Sequence, residues 1–157
     1  MDKLAVIDLV IAALETEIEN GSKASRESFE AATDEDAYSD GKYDTHSLEA
    51  SYLAGGQAQI VKELGEALQG FKLLRAQHFI QPPSKLISLG SLVEIESDSK
   101  STWYILGPGG GGMDVKVDSS VFTVLTLHSP FGQSLSTKTV GDSVELPSGI
   151  STIKQVL

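Results

Sequence analysis

The apolar positions of this chain follow one period up to about residue 80 and another after it. Leu4, Ile7, Ile11, Leu14 and Ile18 are spaced by alternating threes and fours, the heptad seam of a packed helix. A second seam runs through Leu53, Ile60, Leu64, Phe71 and Leu74, with Gln57 and Ala67 in the remaining slots. Between the two seams, Asp40-Gly41-Lys42 reads as a turn, because Gly41 tolerates a positive φ. Folding the chain back at Gly41 pairs residues whose numbers total about 82. Ile7 then meets Leu74, Ile11 meets Phe71, Leu14 meets Leu68 and Ile18 meets Leu64, while Leu4 meets His78. The spacing therefore predicts an antiparallel helical hairpin over residues 1–80. Each arm, of about 35 residues, would be on the order of 50 Å long, and such a hairpin must project.

Toward the turn the seam thins. Gly21, Ser25, Ser28 and Ala32 continue the first stripe, opposite Ile60, Gln57, Leu53 and Ala50, and small residues bury little area. Gly55 and Gly56 lie inside the second helix, where each costs about 1 kcal/mol relative to Ala. Two prolines, Pro82 and Pro83, follow Gln81 and close the helical half. Strand patterns then appear at 92–95, 102–106, 113–117, 121–127, 143–146 and 150–156, with one helix candidate at 130–136. The expected fold class is α+β: a long coiled-coil hairpin followed, over 84–157, by a small antiparallel β-rich domain.

Composition narrows the functions available. Apolar residues make up 40% of the 157, enough for a folded core, and the absence of cysteine excludes disulfides and thiolate metal sites. The apolar run Leu9–Leu14 is flanked by Asp2 and Asp8 with no small-residue cleavage site after it, so a signal peptide is not expected. No stretch approaches the roughly 18–20 apolar residues of a membrane span, and the expected location is the cytoplasm. Net charge is −10 and uneven: residues 1–80 carry 15 acids and 7 bases, residues 81–157 carry 7 and 5. That balance argues against binding bare DNA, since phosphate contacts need Lys and Arg, and favours a partner with a basic surface.

Few residues offer chemistry. Gly107-Pro108-Gly109-Gly110-Gly111-Gly112 has the glycine content of a phosphate loop, but a strand pattern follows it instead of a helix; a mobile hairpin loop is expected. His46, His78 and His128 are too scattered for a zinc site. The acids are more concentrated. Glu27, Glu30, Asp34, Glu35, Asp36, Asp40, Asp44 and Glu49 surround the turn, with Lys42 the one base between residues 27 and 49. Such a tip is either plainly solvated or meets a cation or basic channel elsewhere; Mg²⁺ is commonly held by one or two carboxylates plus phosphates.

The segment from His128 to Glu145 resembles the C-terminal signature of the Gre-type transcript-cleavage and elongation factors, which runs Ser-Pro, a short helix, then Lys-x-Val-Gly-Asp. Ser129, Pro130, Leu135, Lys138, Val140, Gly141 and Asp142 match; Gln133 and Ser134 stand where a basic residue is usual. The resemblance implies an FKBP-like C-terminal domain that binds bacterial RNA polymerase at the rim of its secondary channel, through His128, Ser129 and Pro130. It also implies a hairpin that enters the channel, with indirect contact to the nascent RNA. Relatives competent in cleavage carry Asp-Leu-x-Glu-Asn at the tip, and this chain does not. Asp40 and Asp44 are the nearest carboxylates by position, with Asp36 and Glu49 as substitutes, to share a Mg²⁺ ion held jointly with the polymerase; no cofactor is expected on the chain alone. In that reading the protein is no enzyme and at most stimulates the polymerase's own cleavage of RNA, or it occupies the channel without chemistry. Two other readings stand beside it: an FKBP-like peptidyl-prolyl isomerase, for which the C-terminal half offers Trp103, Tyr104, Phe122 and Phe131, and a coiled-coil adaptor.

Overall fold

The computed structural model describes residues 2–33, 44–77, 85–97, 100–146 and 149–157. Two long helices, α1 (Lys3–Thr33) and α2 (Asp44–Gln77), are followed by strands β1 (Leu92–Ser97), β2 (Lys100–Gly107), β3 (Asp114–Val117) and β4 (Ser120–Thr126). A short helix α3 (Pro130–Leu135) and strands β5 (Ser143–Leu146) and β6 (Gly149–Val156) complete the chain. The turn at Asp40-Gly41-Lys42, His78 and the prolines Pro82 and Pro83 lie outside the described residues.

The hairpin forms in the expected register. Asp8 pairs with Arg75, Glu15 with Lys72 at 2.9 Å, and the Ser25 hydroxyl donates to the Ala54 carbonyl at 3.3 Å. A side chain at Gly21 would meet Val61 at 2.8 Å, so the glycine permits close approach where the seam thins. The outer seam of α2 differs from the one expected. Ala54, Gln57 and Val61 face α1, whereas Leu53 and Ile60 are 56% and 57% exposed. Counting back from Phe71 and Leu68 by alternating fours and threes gives Leu64, Val61, Gln57 and Ala54, which is the true heptad; the larger Leu53 and Ile60 belong to its flank.

That flank has a second partner at the hinge end of the hairpin. The sheet runs in the order β3-β4-β2-β1-β6-β5. Its pairings are antiparallel, as expected, except that β2 and β4 run parallel, Trp103 opposite Phe122 and Ile105 opposite Val124. The hairpin between β3 and β4 turns the chain so that β4 re-enters beside β2, which is why this one pair cannot be antiparallel. Side chains alternate across the sheet, so each face has its own core. On one face Leu92, Trp103, Ile105, Phe122 and Val124 pack with Val6, Ile7, Val10, Leu14, Ala67 and Phe71 of the helices. On the other, Val93, Ile95, Leu106, Val144 and Ile153 pack with Leu135 of α3 and with Ile87. The sheet is thus the middle of three layers. Val6 and Val10, absent from the expected seam, are fully buried because α1 serves α2 on one side and the sheet on the other. Such a double duty needs a wider apolar face than a heptad seam supplies.

The glycine-rich segment is where the layers lock, and it is not the free loop expected. Built side chains at Gly107 and Gly109 would lie 2.5 Å from the Phe71 ring and 2.7 Å from Ala67 Cβ, and one at Gly70 would lie 2.4 Å from Pro108. Glycine is present on both surfaces because each backbone approaches a facing side chain too closely to leave room for a Cβ. The loop folds on itself through Met113 N–H donating to the Gly110 carbonyl and Gly112 N–H donating to Val124. Gly110 and Gly112 take φ of +70° and +87°, a region that favours glycine.

Candidate functional site

The matched segment starts on the loop after β4. Ser129 has φ −69° and ψ 148°, the extended conformation of an N-cap, and its Oγ accepts from Gly132 N–H at 3.0 Å. The same hydroxyl donates to the Thr126 carbonyl at 2.7 Å. Pro130 occupies the first helical turn, where a missing N–H costs nothing. Gly132 lies so close to Thr126 that a built Cβ would sit 2.0 Å from its carbonyl oxygen, and Leu135 is fully buried under the sheet. Ser129, Pro130, Gly132 and Leu135 therefore have a complete local explanation: they start a six-residue helix and press it onto β4.

The second half of the segment is explained in the same way. Asp142 accepts from Thr139 N–H at 2.8 Å, and Gly141, at φ +92°, donates to the Ile153 carbonyl. Ile153 N–H returns to Asp142, while Lys138 and Thr137 exchange backbone hydrogen bonds with Ile87. The Val-Gly-Asp turn thus ties β5, β6 and the segment before β1 together. His128 and Pro130 are exposed, and among the described residues no hydrogen bond or ion pair fixes the His128 side chain; the His128 carbonyl accepts from Gln133 at 3.2 Å. Val140, 52% exposed, joins them as an apolar residue on the same segment. Of the three expected docking residues, the structure leaves His128 and Pro130 available and engages Ser129 in the fold.

At the far end, α1 closes with the Thr33 hydroxyl donating to the Phe29 carbonyl at 3.0 Å. Asp40 and Asp36 lie outside the described residues, and Asp44 opens α2 with its side chain outside them as well. Glu49 is described and exposed on the first turns of α2, and Glu27 stands 3.9 Å from Lys23, both ends well solvated. Among the described residues no group of three or more His, Asp and Glu side chains converges as a metal site. A feature not anticipated is apolar: Phe29, Leu48 and Tyr52 are 62%, 56% and 75% exposed near the tip. Their sequence signal was available, since none falls on the heptad of either helix.

The four aromatic side chains that would line an isomerase pocket are divided between the two cores. Trp103 and Phe122 pack at 5.6 Å between ring centres under the hairpin. Tyr104 and Phe131 meet edge to face at 5.3 Å on the opposite face. Burial, with the nearby charge of Asp114 in addition, pushes the Tyr104 phenol above its ordinary value. The aromatic residues are thus spent on packing. No described helix is long and apolar enough to cross a membrane.

No family model matches this chain, and no curated protein does. Solved structures do. The chain is similar to GreA factor homolog 1 (Gfh1) of Thermus thermophilus, at 18% identity and a TM-score of 0.36, over 94% of each chain. It is also similar to Gfh1 of Thermus aquaticus, at 20% identity and a TM-score of 0.34, over 94% of this chain and 90% of that one. A third structure, described as that of the transcription factor Gfh1, has 17% identity and a TM-score of 0.35 over 96% and 92%.

Proposed function

We propose that this chain is a transcription elongation regulator that binds bacterial RNA polymerase, docking by the loop at His128 and Pro130 and extending its hairpin into the secondary channel. The observation that carries this reading is the junction of the two halves. A stem of 31 and 34 helical residues is held against the sheet through Val10, Leu14, Ala67 and Phe71, and among the described residues it is supported beyond Ile18 and Leu64 by its own seam. A solvent-facing stem about 20–25 Å long past that point, with acids gathered at its end, suits a probe that reaches into a cavity of another molecule. The Ser-Pro to Gly-Asp resemblance supports RNA polymerase as that molecule. An isomerase has no support from the buried aromatic residues.

In this reading the chain makes and breaks no bonds itself. Its tip carboxylates act only beside a Mg²⁺ ion and a transcript that the polymerase supplies, since one or two exposed carboxylates hold Mg²⁺ weakly. The test is direct binding. Purified core RNA polymerase should retain the full-length chain, and a large excess of it should leave naked DNA unbound under the same conditions. Absence of a polymerase complex at micromolar concentrations of both would end this reading.

A further inference from the structure

The outward face of α2 carries apolar residues that are exposed among the described residues. Ala67 and Leu74, on the flank of the heptad, are covered by Gly109 and Gly90 of the sheet layer. One and two heptads toward the tip, the same flank presents Ile60 and Leu53, both exposed. The covered interface therefore continues as an uncovered one along a single helix face. Gly56 lies on the same face, and a built side chain there meets nothing within 4 Å among the described residues, in contrast to Gly70 and Gly21. A bare patch of this kind lets a neighbouring backbone come close.

The stripe runs into a cleft of about 440 Å³ between α2 and the glycine loop. Its walls are apolar at Ile60, Leu64 and Pro108, and acidic at Glu63 and Glu66. Glu63 accepts a hydrogen bond from Gln59 at 2.8 Å; Glu66 has no partner among the described residues. Lys62, between them in sequence, is not part of the lining. On the opposite wall stand Gly109, Gly110 and Gly111, whose amides donate to no group among the described residues.

We propose that this face, from Tyr52 to the cleft at Glu66, docks a segment of RNA polymerase that presents apolar side chains together with a lysine or arginine. The proposal rests on the functional reading above and adds a second contact, on the stem, to the one at His128 and Pro130. Charge selects the occupant. A second copy of this chain, at a net −10, would bring its own Glu49, Glu63 and Glu66 to the same stripe, and like charges across an interface oppose it. A basic segment is attracted to the cleft and neutralises both carboxylates.

The experiment uses the full-length chain and purified core polymerase as the probe. Ile60→Asp and Glu66→Lys should each weaken binding about tenfold or more, a change of 1.4 kcal/mol per decade. Both residues lie at the surface, so circular dichroism melts should match the parent. Glu19→Lys, an equal charge change on exposed α1, should alter affinity less than twofold. A photo-crosslinking residue in place of Ile60 should capture a polymerase peptide containing Lys or Arg. Parent-like affinity for both Ile60→Asp and Glu66→Lys overturns the stem contact and leaves the functional reading standing. So does a crosslink that joins two copies of this chain. If the unsubstituted protein does not bind polymerase, both fall together.

Discussion

Pro108 occupies the space that a side chain at Gly70 would need, its Cγ 2.4 Å from where a Cβ would stand. The proline ring cannot rotate away, so the glycine in α2 and the proline after β2 fit only as a pair. This contact fixes how the hairpin sits on the sheet. It also separates the glycines of α2 into those the fold requires and those it does not.

Gly70→Ala should accordingly destabilise the protein by about 1–3 kcal/mol, as overpacking of a filled interface does. Gly55→Ala, with open space around it, should stabilise by about 0.4–1 kcal/mol through the unfolded chain and helix propensity. Urea denaturation of the two variants checks this. Changes of the same sign would remove the distinction.

The seam tapers, and its two ends should respond differently to charge. Leu14 is fully buried, so Leu14→Asp should cost roughly 3–5 kcal/mol. Ser25 contributes one hydrogen bond to Ala54 in the thin outer seam, and Ser25→Asp should cost much less. Thermal melts of both, at one protein concentration, give the comparison. Equal losses would contradict a hairpin anchored at its base.

Docking and folding can be separated within the matched segment. Ser129→Ala removes a cap and should cost about 1 kcal/mol of stability. A Ser129→Glu, Pro130→Ala double substitution would mix that loss with any effect on binding. His128→Ala with Pro130→Ala should spare the fold and weaken polymerase binding, by about tenfold for a 1.4 kcal/mol loss. Unchanged affinity in this variant would move the docking site elsewhere.

In the proposed reading, any chemistry at the tip would rest on Asp40 and Asp44. Added to a backtracked polymerase complex with saturating Mg²⁺, the protein should speed release of short 3′ RNA fragments. Asp44→Asn, the same size without the charge, should abolish that gain while binding persists, and Asp40→Asn should have a similar or smaller effect. Glu30→Gln, farther back on α1, should have almost none. Tight binding without any acceleration would make the hairpin a channel occupant.

The Asp8–Arg75 pair closes the hinge end of the hairpin. A hydrogen bond from Arg75 outweighs an opposing effect of burial and, with the Arg75 charge in addition, holds the Asp8 carboxyl below the ordinary range. A carboxyl depressed in the folded state contributes stability above its unfolded pKa, about 3.9, and loses it as pH falls through the lower folded value. Carbon-detected NMR should find Asp8 titrating below the ordinary aspartate range, and Arg75→Gln should restore it. The stability gap between parent and Arg75→Gln should be small at neutral pH and should close under acid conditions.

Strand positions, the short helix and the hairpin register were legible because each rests on a local period: two for the strands, three and four for the seam. The outer seam departs from the expected one at Leu53 and Ile60, where bulk does not go with burial. Ala54 and Val61 are the facing residues, and size is no guide where glycine and serine make up the other side. Val6 and Val10 were missed for a different reason. Their partner is the sheet, more than eighty residues away in sequence, and no local period announces a contact of that range. The glycine loop was misjudged likewise, because its reason for being glycine lies in α2. At the docking segment, Ser129 carries the resemblance through a capping role that sequence alone does not separate from recognition.

The core shared by α1 and the sheet also sets the order in which the chain can become stable. Val6, Ile7, Val10 and Leu14 leave the ribosome first, yet the core they join includes Phe122 and Val124. At about 5–20 residues per second those two arrive on the order of ten seconds later. During the interval the hairpin has a helical seam with one oily flank still open to the cell. Every newly made copy is therefore briefly a client for whatever recognises exposed valine and leucine, and ceases to be one only when β4 slides in beside β2.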